Sequence, residues 1–333
     1  MRFGIDSADL AEITRAKEIV ELGKVTTNPS LVRAALGKDV TAARIVEHHL
    51  EILKLVGKKV PVSFEVVSNT YNGMVAEGVK LHDLFSPYGN VVVKIPSNPS
   101  MDYDSLDSND LDGLLATAYL RKRGIKANIT LVFKPEQAIL FALLRANYVS
   151  PFIGRQDHYL WKLEDSEKKH AREEQFPVTG ILRVSDNGIV SGVSLVYSIV
   201  EYFKLIGSTT EVLGASLRNT KSIAETKAVG AQLATVPLGV LEEWVGYEEK
   251  DIEKLIIPQP ERERQLDEFV DAINRLRPKE AGFVDRLIGY FKENHHLVVR
   301  YLRHPQTLDG MKKFTEDTVP AYSEMLGATA SVE

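Results

Sequence analysis

The stretch "RFGIDSADLAEITRAKEIVELG" (residues 2–23) holds one complete strand-and-helix unit, and its pattern decides the fold class. "RFGID" is typical of a short buried strand that ends on a polar residue, Asp6. Ser7 or Asp9 can cap the following helix, because their side-chain oxygens can accept from its first free amides. Apolar residues then recur at helical spacing, and we expect Gly23 to stop the helix.

Seven further segments repeat this pattern along the chain. Helical segments lie between most of them; one ends at Gly124 and another, "SGVSLVYSIVEYFKLIGS", ends at Gly207. The further predicted strands are "KVTTN" from Lys24, "VPVSFEVV" from Val60, "NVVVKIP" from Asn90, "IKANITLV" from Ile125, "YVSPFI" from Tyr148, "EVLGAS" from Glu211 and "AQLATV" from Ala231.

Eight strands that alternate with helices favour a parallel sheet. Closed on itself, such a chain is a (β/α)8 TIM barrel of about 250 residues. An open, doubly wound sheet is the alternative, but no G-x-G-x-x-G motif follows the first strand. We therefore predict an α/β protein with a (β/α)8 catalytic barrel over residues 1–245.

Beyond the barrel, residues 246–333 predict a helical extension that packs on the barrel rather than an independent domain. The segment 246–304 is long and rich in charge. Its apolar faces could cover the barrel mouth or form a subunit contact. Helical stripes in it comprise Leu266, Phe269, Val270, Ile273 and Leu276, and then Phe283, Leu287, Ile288 and Phe291.

Composition excludes several classes of function. The chain has no cysteine, which excludes disulfides and thiolate chemistry. The formal net charge is -5, whereas a nucleic-acid surface is usually basic. We find no apolar leader and no membrane-spanning segment, so we expect a cytoplasmic protein without nucleic-acid or membrane partners. His48–His49 and His295–His296 are adjacent pairs that cannot share a helix face, and the acidic loop 99–112 lacks a calcium-loop register, so we expect no metal.

In a barrel, the active site lies at the carboxyl ends of the strands. Lys94 is the unusual residue there, since it ends the apolar run "VVVK" and alternation directs it and Val92 to one face. Burial disfavours the charged form of an amine, which is the condition for a nucleophile that forms a Schiff base. The other polar residues predicted at strand ends are Asp6, Thr26, Asn28, Glu65, Asn128, Thr130, Ser150 and Ser216.

Each of these residues also has a structural interpretation. Lys94 can be a solvated rim residue or the ion-pair partner of Glu65. Asp6 can cap a helix, and Asn28 before a proline can start one. If Lys94 is the nucleophile, Asp6 and Glu65 are candidates for the proton shuttle that such chemistry needs.

A second cluster follows the sixth and seventh strands. It contains Arg155 in "SPFIGR" and Ser216 and Arg218 in "GASLRN". Two guanidinium groups and a hydroxyl suit a phosphate dianion, and barrels often bind phosphate in these loops. Solvated surface arginines are the alternative.

Taken together, the motifs resemble the transaldolase family. They appear in that family's order, namely "FGIDSADLAEI", "KVTTNPSL", "VSFEV", "VVVKIPS", "ANITLVFKPEQA", "SPFIGRQD" and "LGASLRN". The resemblance implies a circularly permuted barrel of the class I aldolase type and no metal or organic cofactor. It implies transfer of a dihydroxyacetone unit from a ketose phosphate to an aldose phosphate in the non-oxidative pentose phosphate pathway.

The resemblance also implies a role for each residue. Lys94 would carry the Schiff base and Asp6 would be the acid and base, while Glu65 and Thr130 would hold a water that relays protons. The remaining implied site residues are Asn28 and Ser150 at substrate hydroxyls, Thr26 and Asn128 in support, and Arg155, Ser216 and Arg218 at the phosphate.

Several alternatives stay open at this stage. Glu65 and Phe152 favour a transferase, because the related fructose 6-phosphate aldolases carry a glutamine and a tyrosine there. An aldolase, a transaldolase for a modified sugar, and a phosphosugar-binding barrel without catalysis are the other interpretations. Sugar phosphates are the expected small-molecule partners, and a homo-oligomer is possible.

Overall fold

The protein is a closed barrel of eight parallel strands. The computed structural model describes residues 1–104, 108–162, 189, 191–246, 271, 273, 275 and 281–327. Each strand pairs with the next one in the chain, and β8 closes the barrel on β1. The predicted (β/α)8 barrel is therefore confirmed. Its strands are β1 Arg2–Asp6, β2 Leu22–Thr26, β3 Pro61–Glu65, β4 Asn90–Pro96, β5 Ala127–Val132, β6 Tyr148–Pro151, β7 Glu211–Gly214 and β8 Leu233–Val236.

Helices follow the strands and surround the barrel. Each of the eight predicted strands overlaps an observed one, and the two helices predicted to end at Gly124 and Gly207 are α5 and α8. The helices of the barrel are α1 Leu10–Ile19, α2 Pro29–Leu36, α3 Ala42–Val56, α4 Tyr71–Phe85, α5 Asp112–Lys122, α6 Pro135–Leu143, α7 Ile153–Lys162, α8 Gly192–Leu205, α9 Thr220–Ala228 and α10 Leu238–Val245.

The first strand-and-helix unit shows how the sequence specifies the start of a helix. Asp9 caps α1, because its Oδ1 accepts from the amides of Ala11 at 2.8 Å and Glu12 at 3.0 Å. The expectation that Gly23 stops the helix is wrong. The helix ends at Ile19, and Gly23 lies within β2, where a Cβ would stand 2.9 Å from the Cβ of Arg2. Gly23 thus permits a close approach of two strands.

Alternation along the strands separates two apolar layers. On β4, Val91, Val93 and Ile95 belong to the large cluster between the strands and the helices. Val92 belongs to a separate cluster inside the barrel, whose other members are Tyr148, Leu213 and Leu233. Lys94 follows Val92 on the inner face, so the lysine lies next to this apolar cluster, on the side of the carboxyl ends of the strands.

A second lysine lies within the barrel. Lys24 is fully buried, and its Nζ stands 3.5 Å from the ring centroid of Tyr148. Its Nζ has no hydrogen-bond partner among the residues that the structure describes. Burial holds the pKa of Lys24 well below its usual value.

Within residues 281–327, the C-terminal segment forms four helices. These are α11 Phe283–Glu293, α12 His295–Leu302, α13 Pro305–Asp317 and α14 Pro320–Leu326. In α11, Phe283, Leu287 and Phe291 of the predicted stripe are buried. Ile273 is helical and buried, whereas Leu266, Phe269, Val270 and Leu276 lie outside the described residues. No helix in the described ranges is both long and apolar enough to cross a membrane.

Helix α13 lies over the carboxyl end of the barrel. The hydroxyl of Thr307 donates to the carbonyl of Leu131 on β5 at 3.0 Å. The amide of Gln137 donates to the carbonyl of Leu302, just before α13, at 2.6 Å. Tyr322 of α14 donates to the carbonyl of Glu65 at 3.1 Å. These contacts join α13 and α14 to the barrel. The predicted boundary at residue 245 and the packing of residues 246–333 as one extension stay predictions.

The acidic loop 99–112 is anchored to the start of this cover. Asp110, fully buried, pairs with Arg303 at 2.7 Å between Oδ2 and Nη2. Asn98 donates to its other oxygen at 2.8 Å. Arg303 also donates to the carbonyl of Tyr103 at 3.0 Å. The loop after the lysine strand is therefore tied to the segment that leads into α13.

Candidate active site

Lys94 lies at the end of β4 and is 4% exposed. Its Nζ stands 3.1 Å from Oε2 of Glu65 and donates to the carbonyl of Thr27 at 3.1 Å. The strand register places Glu65 beside Lys94 on β3, and Asn128 beside it on β5. The amine is thus held by two oxygens at the mouth of the barrel and is no solvated rim residue.

Glu65 is the acidic partner of this pair and is 2% exposed. Burial raises its pKa to about 6, although the positive charge of Lys94 opposes the shift. A carboxyl group in this range can take up and release a proton near neutral pH. Beside it lies a small cavity of about 10 Å³, lined in part by Pro96, Met311 and Phe314. Such a cavity has room for roughly one water molecule.

Asp6 lies at the end of β1, and its charge acts on Glu65. Its Oδ1 accepts from the hydroxyl of Thr26 at 2.7 Å, and that hydroxyl lies 2.7 Å from the hydroxyl of Thr235 on β8. Asp9, and not Asp6, caps α1. The side chain of Asp6 is therefore not used as the cap of α1, and Thr26 supports it.

A row of polar groups continues the site on the next strands. Ser150 donates to Oδ1 of Asn128 at 2.8 Å, and Nδ2 of Asn128 lies 3.3 Å from the hydroxyl of Ser63. Thr130 is fully buried, and its hydroxyl has no hydrogen-bond partner in the described part of the chain. An unpaired buried hydroxyl is costly, so it suits a place where water or a ligand supplies the partner.

Asn28, a predicted site residue, also caps a helix. Its side-chain oxygen accepts from the amide of Leu31 at 2.9 Å and so caps α2. The residue is half-buried. Its amide nitrogen is left for another partner, since capping uses only the oxygen.

Arg155, Ser216 and Arg218 form a second group, here called the arginine cluster. The amide of Gly154 donates to the carbonyl of Ser216 at 3.0 Å, and a Cβ on Gly154 would stand 2.9 Å from Nε of Arg218. Burial lowers the pKa of Arg155, and the charge of Arg218 lowers it further. The structure therefore brings the two like charges together, an arrangement that an anion would stabilise.

Phe314 of α13 links the two halves of the site. Its ring centroid lies 6.0 Å from Nζ of Lys94 and 5.8 Å from Cζ of Arg155. The guanidinium of Arg155 also lies 5.4 Å from the ring of Phe152. Two aromatic rings thus line the path between the amine and the arginine cluster.

Four residues of this site escape the sequence reasoning. Thr235 and Ser63 point inward at or near strand ends, and the strand-end rule could have found both. Phe314 and Tyr322 come from the C-terminal helices, whose apolar stripes do not indicate which surface they cover. No local signal could have placed them at Lys94 and Glu65.

Comparison with known proteins identifies the family of the chain. A family described as "Transaldolase/Fructose-6-phosphate aldolase" matches residues 3–288. A probable transaldolase of Bacteroides thetaiotaomicron is 37% identical over 241 residues, which cover 72% of this chain and 88% of the relative. A probable transaldolase of Geobacter sp. (strain M21) is 34% identical, and the match covers 72% of this chain and 88% of that protein. A probable transaldolase of Chlorobium chlorochromatii is also 34% identical, and the match covers 74% of this chain and 91% of that protein. The chain belongs to the transaldolase/fructose-6-phosphate aldolase family.

Proposed function

We propose that the protein is a transaldolase that transfers a dihydroxyacetone unit through a Schiff base on Lys94. The observation that carries the proposal is the buried pair of Lys94 and Glu65, 3.1 Å apart at adjacent strand ends. The donor would be a ketose phosphate such as fructose 6-phosphate or sedoheptulose 7-phosphate. The acceptor would be an aldose phosphate such as glyceraldehyde 3-phosphate or erythrose 4-phosphate, as in the non-oxidative pentose phosphate pathway.

The first half of the reaction makes and uses the iminium. The amine of Lys94 attacks the C2 carbonyl of the donor, and loss of water from the carbinolamine leaves the iminium. Asp6 takes the proton of the C4 hydroxyl as the bond between C3 and C4 breaks. The electron pair of that bond flows to the iminium nitrogen, which leaves an enamine on Lys94 and frees the first aldose phosphate.

The second half runs the same steps in reverse on a new aldose phosphate. The enamine attacks the aldehyde carbon of the acceptor, and Asp6 returns its proton to the new hydroxyl oxygen. Water then hydrolyses the iminium and releases the new ketose. Glu65 and Thr130 suit the handling of this water, because Glu65 borders the small cavity and the Thr130 hydroxyl has no other partner in the described residues.

The arginine cluster would hold the phosphate of the donor or acceptor. Support comes from Gly154, the neighbour of Arg155, which contacts the Ser216 carbonyl and approaches Arg218 closely, and from the charged hydrogen bonds by which guanidinium groups bind phosphate. Asn28 and Ser150 would bind sugar hydroxyls, while Thr26 and Asn128 would support Asp6 and Ser150. Glu65 and Phe152 favour transfer over simple cleavage.

Trapping with borohydride tests the Schiff base. After incubation with fructose 6-phosphate and reduction, peptide mass mapping should find the added mass on the peptide with Lys94. Lys24 is the internal control, since it is equally buried but lies away from the strand ends. An unmodified Lys94, or equal labelling of Lys24, would overturn the proposed nucleophile.

Addition of erythrose 4-phosphate then separates the activities. Sedoheptulose 7-phosphate as the product supports the transferase, whereas free dihydroxyacetone identifies an aldolase. An adduct on Lys94 without turnover of either kind would identify a phosphosugar-binding barrel.

A further inference from the structure

Three segments meet directly behind the arginine cluster. They are the first turn of α7, the first residue of α8 and the loop at residues 215–218. Gly154 of α7 donates its amide to the carbonyl of Ser216. Gly192, the first residue of α8, lies so close that a Cβ on it would stand 2.6 Å from the Cα of Ile153. Whatever fixes this junction also fixes the positions of Arg155 and Arg218.

Asp157 lies at the junction, one helical turn after Gly154. Its Oδ1 accepts from the amide of Gly192 at 2.7 Å, which ties α7 to the N-terminus of α8. Its Oδ2 is buried and has no hydrogen-bond partner among the described residues. Binding one amide needs only one oxygen, so the second oxygen of Asp157 has no structural partner in the described part of the chain.

A second buried carboxyl group faces this region from α9. Glu225 is 3% exposed, and its Oε1 lies 3.8 Å from Nζ of Lys221. Its Oε2 is buried and lacks a hydrogen-bond partner within the described ranges. Two acidic side chains, each with a free buried oxygen, thus lie behind a group that suits an anion.

Their electrostatic surroundings connect these carboxyl groups to the arginine cluster. Burial raises the pKa of Asp157 to about 7, against the Gly192 amide and the charges of Arg218 and Lys221. Burial also raises the pKa of Glu225 to about 7, and the charge of Asp157 adds to this while Lys221 opposes it. A change of charge at Arg218 therefore acts on Asp157, and the reverse also holds.

We propose that Asp157 is a positioning residue of the arginine cluster. Asp157 holds α8 against α7, and its negative charge, together with that of Glu225, weakens the binding of a phosphate-like dianion as the pH rises through neutrality. The inference rests on the proposed function, because it takes Arg155, Ser216 and Arg218 as the phosphate site. Below about pH 7 the carboxyl groups are protonated and do not oppose the anion. Above about pH 7 both carboxyl groups are negatively charged and repel the anion. Binding of a dianion therefore takes up a proton near neutral pH.

Titration calorimetry with sulfate tests this. Sulfate keeps its charge over the range, whereas a phosphate monoester itself titrates near about pH 6. For the wild type, we expect the Kd to rise roughly threefold to tenfold from about pH 6 to about pH 8. Asp157→Asn keeps an oxygen for Gly192 but has no charge. It should remove most of that rise and bind sulfate more tightly than the wild type at about pH 8.

A second variant separates the tie from the charge. Asp157→Ala loses both, so it should bind sulfate more weakly than Asp157→Asn at every pH. Glu225→Gln should reduce the pH dependence without loosening the junction. Glu201→Gln, an exposed carboxylate on α8 paired with Lys204, is the matched control and should leave the Kd unchanged. Charges of Glu65, Asp6 and Asp309 also reach Arg155 and are present in all variants, so only differences between variants count.

The outcomes distinguish this inference from the proposal beneath it. Sulfate binding that Arg218→Ala does not weaken would overturn the phosphate site and the inference with it. If Arg218→Ala weakens sulfate binding but Asp157→Asn shows the same pH dependence of the Kd as the wild type, the inference alone is overturned. In steady state at about pH 8, the KM for fructose 6-phosphate should differ between the variants as the sulfate Kd does while kcat stays the same, since loss of folded enzyme would lower kcat as well.

Discussion

At the scale of single residues, the central feature of the site is the buried ion pair of Lys94 and Glu65. A buried pair of this kind is a weak source of stability, because desolvation of both charges offsets their attraction. The proposed function gives the pair a chemical role, since Glu65 lies 3.1 Å from the amine and has its pKa raised to about 6. The carboxyl group can thus take a proton from the amine and return it within one turnover.

Glu65→Gln should lower kcat by about a hundredfold or more, because the amide cannot accept a proton. The wild-type kcat should fall as the pH drops below about 6, where Glu65 becomes protonated. That acid limb should be missing in the variant. Steady-state rates measured across the pH range check this, with Glu136→Gln, a buried carboxyl group on α6, as the control. An identical acid limb in Glu65→Gln would assign it to another group.

The sequence allows most of this site to be predicted for one physical reason. Parallel strands bring their carboxyl ends to one edge, so polar residues there meet whatever their spacing in the chain. This rule predicts Lys94, Glu65 and Thr130 at that edge, and their catalytic roles stay proposals. Gly23 shows the limit of local rules, since a glycine can mark a helix end or a close approach of strands, and here it marks the second.

At the scale of elements, α13 is the part that completes the site. Gly310 lies where this helix crosses β5, and a Cβ there would overlap the side chain of Leu131 and stand 3.2 Å from Nη1 of Arg155. Gly310→Ala should therefore displace the helix and the arginine together. We expect a loss of roughly 1–3 kcal/mol in the free energy of unfolding and a raised KM for phosphorylated donors. Urea denaturation and steady-state kinetics measure the two effects.

A glycine on another helix of the extension provides the control. Gly289 lies on α11 with open space around the position of a Cβ. Gly289→Ala should be neutral or should stabilise the protein by up to about 1 kcal/mol, because alanine favours the helix. If Gly310→Ala behaved like Gly289→Ala, the close packing of α13 on β5 would not constrain the site.

At the scale of the whole molecule, the barrel and its extension differ in what their sequences reveal. The order of strands in the sheet equals their order in the chain, so the repeating pattern was enough to predict the barrel. The stripe of α11 shows only that its apolar face is covered. Where α13 and α14 lie depends on single distant contacts, such as Tyr322 with Glu65, which no periodicity encodes.

The pair of Asp110 and Arg303 is one of the contacts that join these two parts of the molecule. Asp110 is fully buried, so Arg303→Met would leave its charge unpaired and should lower the free energy of unfolding by roughly 3 kcal/mol. Adding Asp110→Asn removes that charge and should recover much of the loss, because the amide oxygen can still accept from Asn98. Arg300→Met, at an exposed position of the preceding helix, controls for loss of charge alone. Urea denaturation of these variants and of Asp110→Asn alone completes a double-mutant cycle. A double variant no more stable than Arg303→Met would show that the buried charge is not what binds the acidic loop to α12 and α13.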